Sequence, residues 1–134
     1  MQKNVVLLIL VLIVSNPVLA SNAGKKLFNK LCVRCHVAEG MPTEAPPIFA
    51  VISHVKGSYP DREGFVNKIV DWVEEPKVSE SLMRGAIRRF GLMPKLDFSE
   101  EEVRKVAEYL YDRKAELPAW YKKHYKERHG HEPK

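Results

Sequence analysis

The sequence predicts an all-α fold, and three features of the chain support this class. Beyond residue 20, apolar side chains recur at the three- and four-residue spacing of amphipathic helices in several separate segments. Stretches rich in proline and glycine divide these segments. The chain contains no series of strand-like segments. We therefore expect a small helical domain whose helices are joined by loops.

The first twenty residues have the pattern of a secretory signal peptide. Lys3 precedes an unbroken apolar run over residues 5–14, and a polar break then leads to Ala20. The apolar run is about half of the ~20 residues that a helix needs to cross a bilayer, so we expect no stable membrane insertion. Removal of residues 1–20 would leave an exported chain large enough for one small domain.

Charge distinguishes two parts of this exported chain. Residues 21–112 carry fourteen basic and fourteen acidic side chains, whereas residues 113–134 carry seven basic and three acidic ones. We divide the chain into a domain at 21–114 and a basic, aromatic C-terminal extension at 115–134. A basic segment with aromatic residues can bind nucleic acid. An exported protein rarely meets nucleic acid, so we expect no such partner.

The first predicted helix runs over about residues 23–31, because Leu27, Phe28 and Leu31 lie on one face at helical spacing. It ends directly before Cys32. Residues 37–60 contain four prolines and two glycines, and we expect them to form a loop. A loop of this length in a compact domain is usually functional.

Two middle helices and a well-marked last helix are expected next. Asp61 can cap a helix that runs to about residue 74, and a shorter helix over residues 81–90 is followed by Gly91, a residue suited to a helix C-terminus. Ser99 and Glu102 then form a capping box at the start of the last helix of the domain. A terminal helix over about residues 118–128 lies in the extension.

The only two cysteines of the chain lie in the segment Cys32-Val33-Arg34-Cys35-His36, which directly follows the first helix. C-x-x-C-H is the signature of covalent haem attachment. Two cysteines about one helical turn apart can each form a thioether with a vinyl group on the same haem edge, and the next histidine can ligate the iron. Its other ring nitrogen needs a carbonyl partner, which we expect near Pro46 or Pro47.

Other interpretations of the two cysteines lack partners in this sequence. A zinc site would need two more strong ligands, and there is no second cysteine pair. A thioredoxin-like redox motif belongs to an α/β domain with strands. A disulfide between Cys32 and Cys35 would close too small a loop to stabilise the fold. Haem attachment is therefore the favoured interpretation.

The iron also needs a sixth ligand or a vacant position. Met93 is our first candidate, because it follows a helix end and lies beside Pro94 in a predicted loop, from which a thioether can extend to a metal. His54, also in a predicted loop, is the alternative. Met41 is too close to His36 to reach the opposite haem face, and Met83 is expected inside a helix, where methionine usually fills the core.

With these motifs, residues 23–113 resemble a class I monohaem cytochrome c. The resemblance implies an all-α fold in which the first and last helices cross and the haem lies in the hydrophobic interior. Gly24 and Phe28 match the close-contact positions of the family's first helix, with Tyr109 or Leu110 as partners on the last. The segment 54–89 is longer and more charged than in the smallest members, and the extension has no counterpart in the minimal fold.

The resemblance implies a periplasmic electron-transfer protein, not an enzyme, with one covalent haem c and His36 and Met93 as iron ligands. Redox partner proteins could dock on the basic extension. One alternative is the cytochrome subunit of a periplasmic oxidoreductase complex, with the extension as its interface. Another is a haem-based binder of small ligands, which would require an open iron site.

Overall fold

The computed structural model of the protein describes residues 17–36, 44–113 and 117–133. Within these ranges the chain forms six α-helices and one short 3-10 turn, and no strand. The all-α prediction is therefore confirmed. The helices are α1 (Pro17–Leu31), α2 (Ile48–Ser58), α3 (Arg62–Glu74), α4 (Arg84–Phe90), α5 (Glu100–Asp112) and α6 (Ala119–His129), and the 3-10 turn is Val78–Glu80.

Within the described residues, α1 extends from Pro17, the first of them, to Leu31, so the helix reaches at least six residues further towards the N-terminus than predicted. The helix ends where predicted, at Leu31. Residues 1–16, which make up most of the predicted signal peptide, lie outside the described residues.

The main core lies where α5 packs against both α1 and α3. Its most deeply buried side chains include Phe28, Phe65 and Ala107. Gly24 lies at the crossing of α1 and α5, where an added Cβ would overlap the Lys105 carbonyl oxygen and lie 2.6 Å from Tyr109 Cβ. The two helices can approach this closely only because Gly24 lacks a side chain.

The predicted contacts between the first and last helices of the domain are confirmed. The rings of Phe28 and Tyr109 have centroids 6.0 Å apart. Leu110 is also buried in this core. The crossing that the resemblance implied is thus present, with Gly24 and Phe28 at its centre.

The predicted helix starts of α3 and α5 are confirmed by their capping hydrogen bonds. The Asp61 carboxylate accepts a hydrogen bond from the Gly64 backbone N–H at 2.7 Å. At α5, the Ser99 hydroxyl accepts from the Glu102 backbone N–H, and the Glu102 carboxylate accepts from the Ser99 backbone N–H. These bonds satisfy N–H groups that a helix start otherwise leaves without partners.

The prediction of a loop over residues 37–60 is wrong in its second half, because Ile48–Ser58 forms α2. Pro47 has an extended backbone and acts as the N-cap, so the paired prolines precede a helix. One face of α2 carries Ile48, Ile52 and Val55 into the main core. Another face is buried in a second cluster, so the helix shows little of the polar face that marks an amphipathic pattern. Residues 37–43 lie outside the described residues, and Met41 with them.

Helix α4 is shorter than predicted, since it begins at Arg84 instead of residue 81. Met83 is therefore not inside a helix: it is the N-cap residue, and its side chain packs against the second cluster. Gly91 follows the helix with a φ of 81°, a conformation that glycine adopts without strain.

The C-terminal extension contributes α6 to the second cluster. Tyr121 and Tyr125, one helical turn apart, are buried against Phe49 and Ala50 of α2. The helix spans Ala119–His129, within a residue of the prediction. Trp120 remains 46% exposed while its ring meets Phe49 edge-on. None of the described helices has the length and apolar character needed to span a membrane.

Candidate functional site

The segment from Cys32 to His36 makes one further turn beyond the end of α1. The Cys35 and His36 backbone N–H groups both donate to the Cys32 carbonyl, at 3.2 and 2.9 Å. Cys32 is partly buried against the main core, whereas Cys35 is exposed, and neither thiol is in a disulfide. The two thiols thus lie one turn apart at the edge of the core.

The His36 ring is held by the chain segment that leads into α2. Its Nδ1 donates to the Pro46 carbonyl at 2.8 Å, which leaves Nε2 available as a ligand atom. The Pro47 carbonyl instead accepts from the Ala50 and Val51 backbone N–H groups in the first turn of α2. Of the two prolines singled out in the sequence, Pro46 is therefore the one that contacts His36.

Burial sets the protonation states of this site. It lowers the pKa of His36, so the ring is neutral near neutral pH, as a metal ligand must be. Burial, and secondarily the charge of Cys35, raises the pKa of the Cys32 thiol to about 11. This environment disfavours the thiolate that a redox dithiol or a zinc site would need.

Among the described residues, no group of three or more histidine, cysteine or acidic side chains is placed so that it could hold a metal ion. The site therefore offers two thiols and one oriented imidazole, without the four ligands of a closed zinc site.

Met93 lies in the loop between α4 and α5, as predicted, and its side chain is partly buried. The described residues 84–99 include no buried side chain, although α4 and this loop carry several apolar ones. Leu92, for example, is 41% exposed. Apolar side chains of α4 and of this loop are thus left partly or largely exposed.

His54 does not lie in a loop, so the reason for considering it a ligand was wrong. It is on α2, where its Nδ1 donates to the Ala50 carbonyl at 2.8 Å. Its ring packs edge-on against Tyr125 and His129 of α6, with centroids 5.3 and 5.2 Å away. The recurrence of Tyr121, Tyr125 and His129 every four residues along α6 is the signal in the sequence that could have predicted this contact.

The side chains of α3 and α4 differ in burial. Trp72 is only partly buried, and Val66 and Val70 complete the buried face of α3. The arginines of α4 are exposed. The candidate site is thus built from the end of α1 and the segment before α2, and Met93 lies in the loop before α5.

The sequence model of the family described as Cytochrome c matches residues 21–114. The chain belongs to the cytochrome c family. Members of this family carry covalently bound haem c and use it for electron transfer, and the two thiols and oriented imidazole found here suit that group.

Curated relatives of this cytochrome c include an uncharacterized protein of Aquifex aeolicus (strain VF5), 30% identical over 108 residues, which are 66% of this chain and 71% of the relative. Photosystem II extrinsic protein V of Cyanidium caldarium is 29% identical over 93 residues, 65% of this chain and 56% of that protein. The same protein of Synechococcus sp. (strain JA-3-3Ab) is 29% identical over 103 residues, 72% and 57% of the two chains. The match thus spans little more than half the length of the photosystem relatives. No solved structure matches the chain.

Proposed function

We propose that this cytochrome c is a periplasmic electron-transfer protein with one haem c, attached through Cys32 and Cys35 and ligated by His36 and Met93. The observation that carries the proposal is the 2.8 Å hydrogen bond from His36 Nδ1 to the Pro46 carbonyl. A histidine that directly follows two thiols one turn apart, with Nε2 left available, has the orientation that an axial iron ligand needs.

The haem, when bound, supplies one-electron chemistry. Cys32 would anchor its edge against the main core, and Cys35 would hold it from the exposed side. The Pro46 carbonyl fixes the His36 tautomer and increases the basicity of Nε2. Burial keeps this imidazole neutral by lowering its pKa. The polypeptide thus tethers and orients the cofactor, and no residue of the site is needed as a general acid or nucleophile.

Met93 as the sixth ligand is supported by its position and by the surroundings of its rivals. It lies in an irregular loop among apolar side chains that are not buried. Met83 packs against the second cluster, and the His54 ring lies against α6. A methionine ligand would give a higher reduction potential than a second histidine would.

A second candidate function, the cytochrome subunit of a periplasmic oxidoreductase, is favoured by the surface of α6. Trp120 is 46% exposed on a helix that also presents Lys122 and Lys123. Exposed tryptophan beside basic residues is typical of protein interfaces. Redox partners with acidic surfaces would dock there in either role. Comigration of the protein with a larger dehydrogenase in gel filtration of a periplasmic extract would favour the subunit.

Export is proposed from the N-terminal pattern, with cleavage after Ala20. Mass spectrometry of the purified protein tests this point and the haem count together. We expect a chain that starts at Ser21 and carries the mass of one haem. A chain that retains residues 1–20 would contradict the export proposal, and a chain without added haem mass would contradict attachment.

The ligand proposal is tested on the oxidised, haem-loaded protein. We expect the weak red absorption band of an iron–methionine bond, lost in Met93→Ala and retained in His54→Ala. Met83→Ala is the matched control, because it removes a thioether from the second cluster and should keep the band. Loss of the band in His54→Ala alone would move the ligand to His54. Rapid carbon monoxide binding to the reduced native protein would point to an open iron site.

A further inference from the structure

Three histidines from two distant parts of the sequence meet at a surface cavity of about 250 Å³. His54 comes from α2, His129 from the last residue of α6, and His131 from the segment that follows it. The other side chains that line the cavity are uncharged. None of these three histidines has a part in the proposed haem site.

Two of the three rings are oriented by backbone carbonyls. His54 Nδ1 donates to the Ala50 carbonyl at 2.8 Å, and His131 Nδ1 donates to the Glu132 carbonyl at 2.9 Å. Each bond leaves Nε2 available and fixes the ring tautomer. Histidines that bind metals are held in the same way, by a carbonyl or carboxylate on the other nitrogen.

The ring separations suit a shared metal ion. Zinc–nitrogen bonds of ~2.0–2.1 Å in a tetrahedral site place two imidazole centroids about 5 Å apart. The centroids of His54 and His129 are 5.2 Å apart, and those of His129 and His131 are 6.2 Å apart. The first pair thus has a separation that suits a shared ion, whereas His129 and His131 would have to come about 1 Å closer together.

The position of His131 permits this movement. It follows Gly130, which ends α6 in the left-handed conformation with a φ of 75°, and it lies beyond the hydrogen bonds of the helix. The ion pair between Lys126 and Glu132, at 3.1 Å, keeps the segment folded back on α6. The described residues contain no preformed group of three metal ligands, so the proposed site requires this movement.

Protonation does not oppose metal binding here. Burial lowers the pKa of His54, and the nearby His129 and His124 lower it further, so its ring is neutral near neutral pH. Metal binding requires neutral imidazole. Imidazole ligands suit Zn²⁺, Cu²⁺ and Ni²⁺, which excludes the hard cations that prefer oxygen ligands.

We propose that His54, His129 and His131 form a site for a divalent transition metal ion, and that the bound ion fastens α6 to α2. Solvent water completes the coordination. The site is separate from the haem iron when Met93 is the sixth ligand, and the inference rests on that proposed ligation because His54 cannot bind both metal ions. The ion would stabilise the docked C-terminal extension, because it binds only when the two helices are together.

Calorimetric titration of the untagged, haem-loaded protein with zinc chloride tests the proposal. We expect saturable one-to-one binding at micromolar zinc. Loss of one ligand should weaken binding by more than the ~10–100-fold that loss of an outer-shell partner costs. His129→Gln and His131→Gln are the variants of choice, since both side chains are exposed and the fold should tolerate them.

His124→Gln is the matched control, because His124 is an exposed histidine of α6 that does not line the cavity. It should bind zinc within about twofold of the unchanged protein. Equal weakening in all three variants, or no saturable binding at micromolar zinc, would overturn the proposal. Zinc should also leave the haem absorption spectrum unchanged, and a changed spectrum would mean that it binds at the haem instead.

Discussion

Replacement of Gly24 by alanine tests the packing at the centre of the domain. A Cβ at this position would lie 2.6 Å from Tyr109 Cβ and overlap the Lys105 carbonyl oxygen. Both obstacles belong to the backbone or first side-chain carbon of α5, so neither can rotate away. Because ordinary van der Waals contact begins near 3.4 Å, α1 and α5 would have to separate by about 1 Å.

The expected destabilisation is the difference between two opposing effects. Overpacking of a close contact costs roughly 1–3 kcal/mol. Alanine recovers roughly 0.5–1 kcal/mol relative to glycine inside a helix. We therefore expect the free energy of unfolding to fall by about 1 kcal/mol, and by at most about 2.5 kcal/mol. Each kcal/mol lowers the midpoint of thermal unfolding by roughly 4–8 °C in a small domain.

Guanidinium unfolding of the oxidised protein, followed by circular dichroism, measures this change. Gly57→Ala is the matched control: Gly57 is also helical, but its added Cβ would meet only the Tyr125 hydroxyl, at 3.7 Å. This control should raise the unfolding midpoint slightly, through helix propensity alone. The packing argument would be refuted if Gly24→Ala were as stable as the unchanged protein or more stable.

Three further predictions concern caps, buried hydroxyls and protonation. Ser99→Ala should cost about 1 kcal/mol in urea unfolding, because it removes half of the capping box of α5; a loss well below this would mean that the box does not stabilise the helix. Tyr121→Phe should change stability by no more than ~1 kcal/mol in the same assay, because its buried hydroxyl has at most one weak side-chain partner, Ser53, among the described residues, whereas Tyr121→Ala should cost ~3–5 kcal/mol. The docking of α6 should weaken as pH falls below 6.5, the ordinary pKa of histidine, because burial lowers the pKa of His54 and the undocked state binds the proton more readily. Amide hydrogen exchange of α6 at pH 7.5 and pH 5 measures this, and the pH effect should shrink in His54→Gln.

Local signals in the sequence predicted the parts of the fold that depend on near neighbours. The capping box at Ser99 and the cap at Asp61 each involve residues three apart, so their patterns were visible without the structure. The turn that carries Cys32 and His36 is equally local. The chemistry of the candidate site could therefore be predicted, together with the carbonyl partner expected near Pro46.

Helix α2 could not be recognised in this way, because its sequence lacks the usual signs of a helix. Ile48–Ser58 has several β-branched residues, is preceded by two prolines and contains Gly57 near its end. Its two buried faces belong to different clusters, one of which is completed by α6 from the far end of the chain. Tertiary packing stabilises this helix. Contacts between distant segments cannot be recognised from the residue pattern of a single sequence.

The same packing changes the interpretation of His54. As a loop residue it would be able to approach the iron, but on α2 its ring faces Tyr125 and His129 of α6. Helix α2 thus connects the two parts of the molecule: the segment before its first turn holds His36 through the Pro46 carbonyl, and its outer face holds the C-terminal extension. The extension and the candidate haem site are therefore joined by one helix and the segment directly before it, although the extension lies outside the residues that the cytochrome c family model matches.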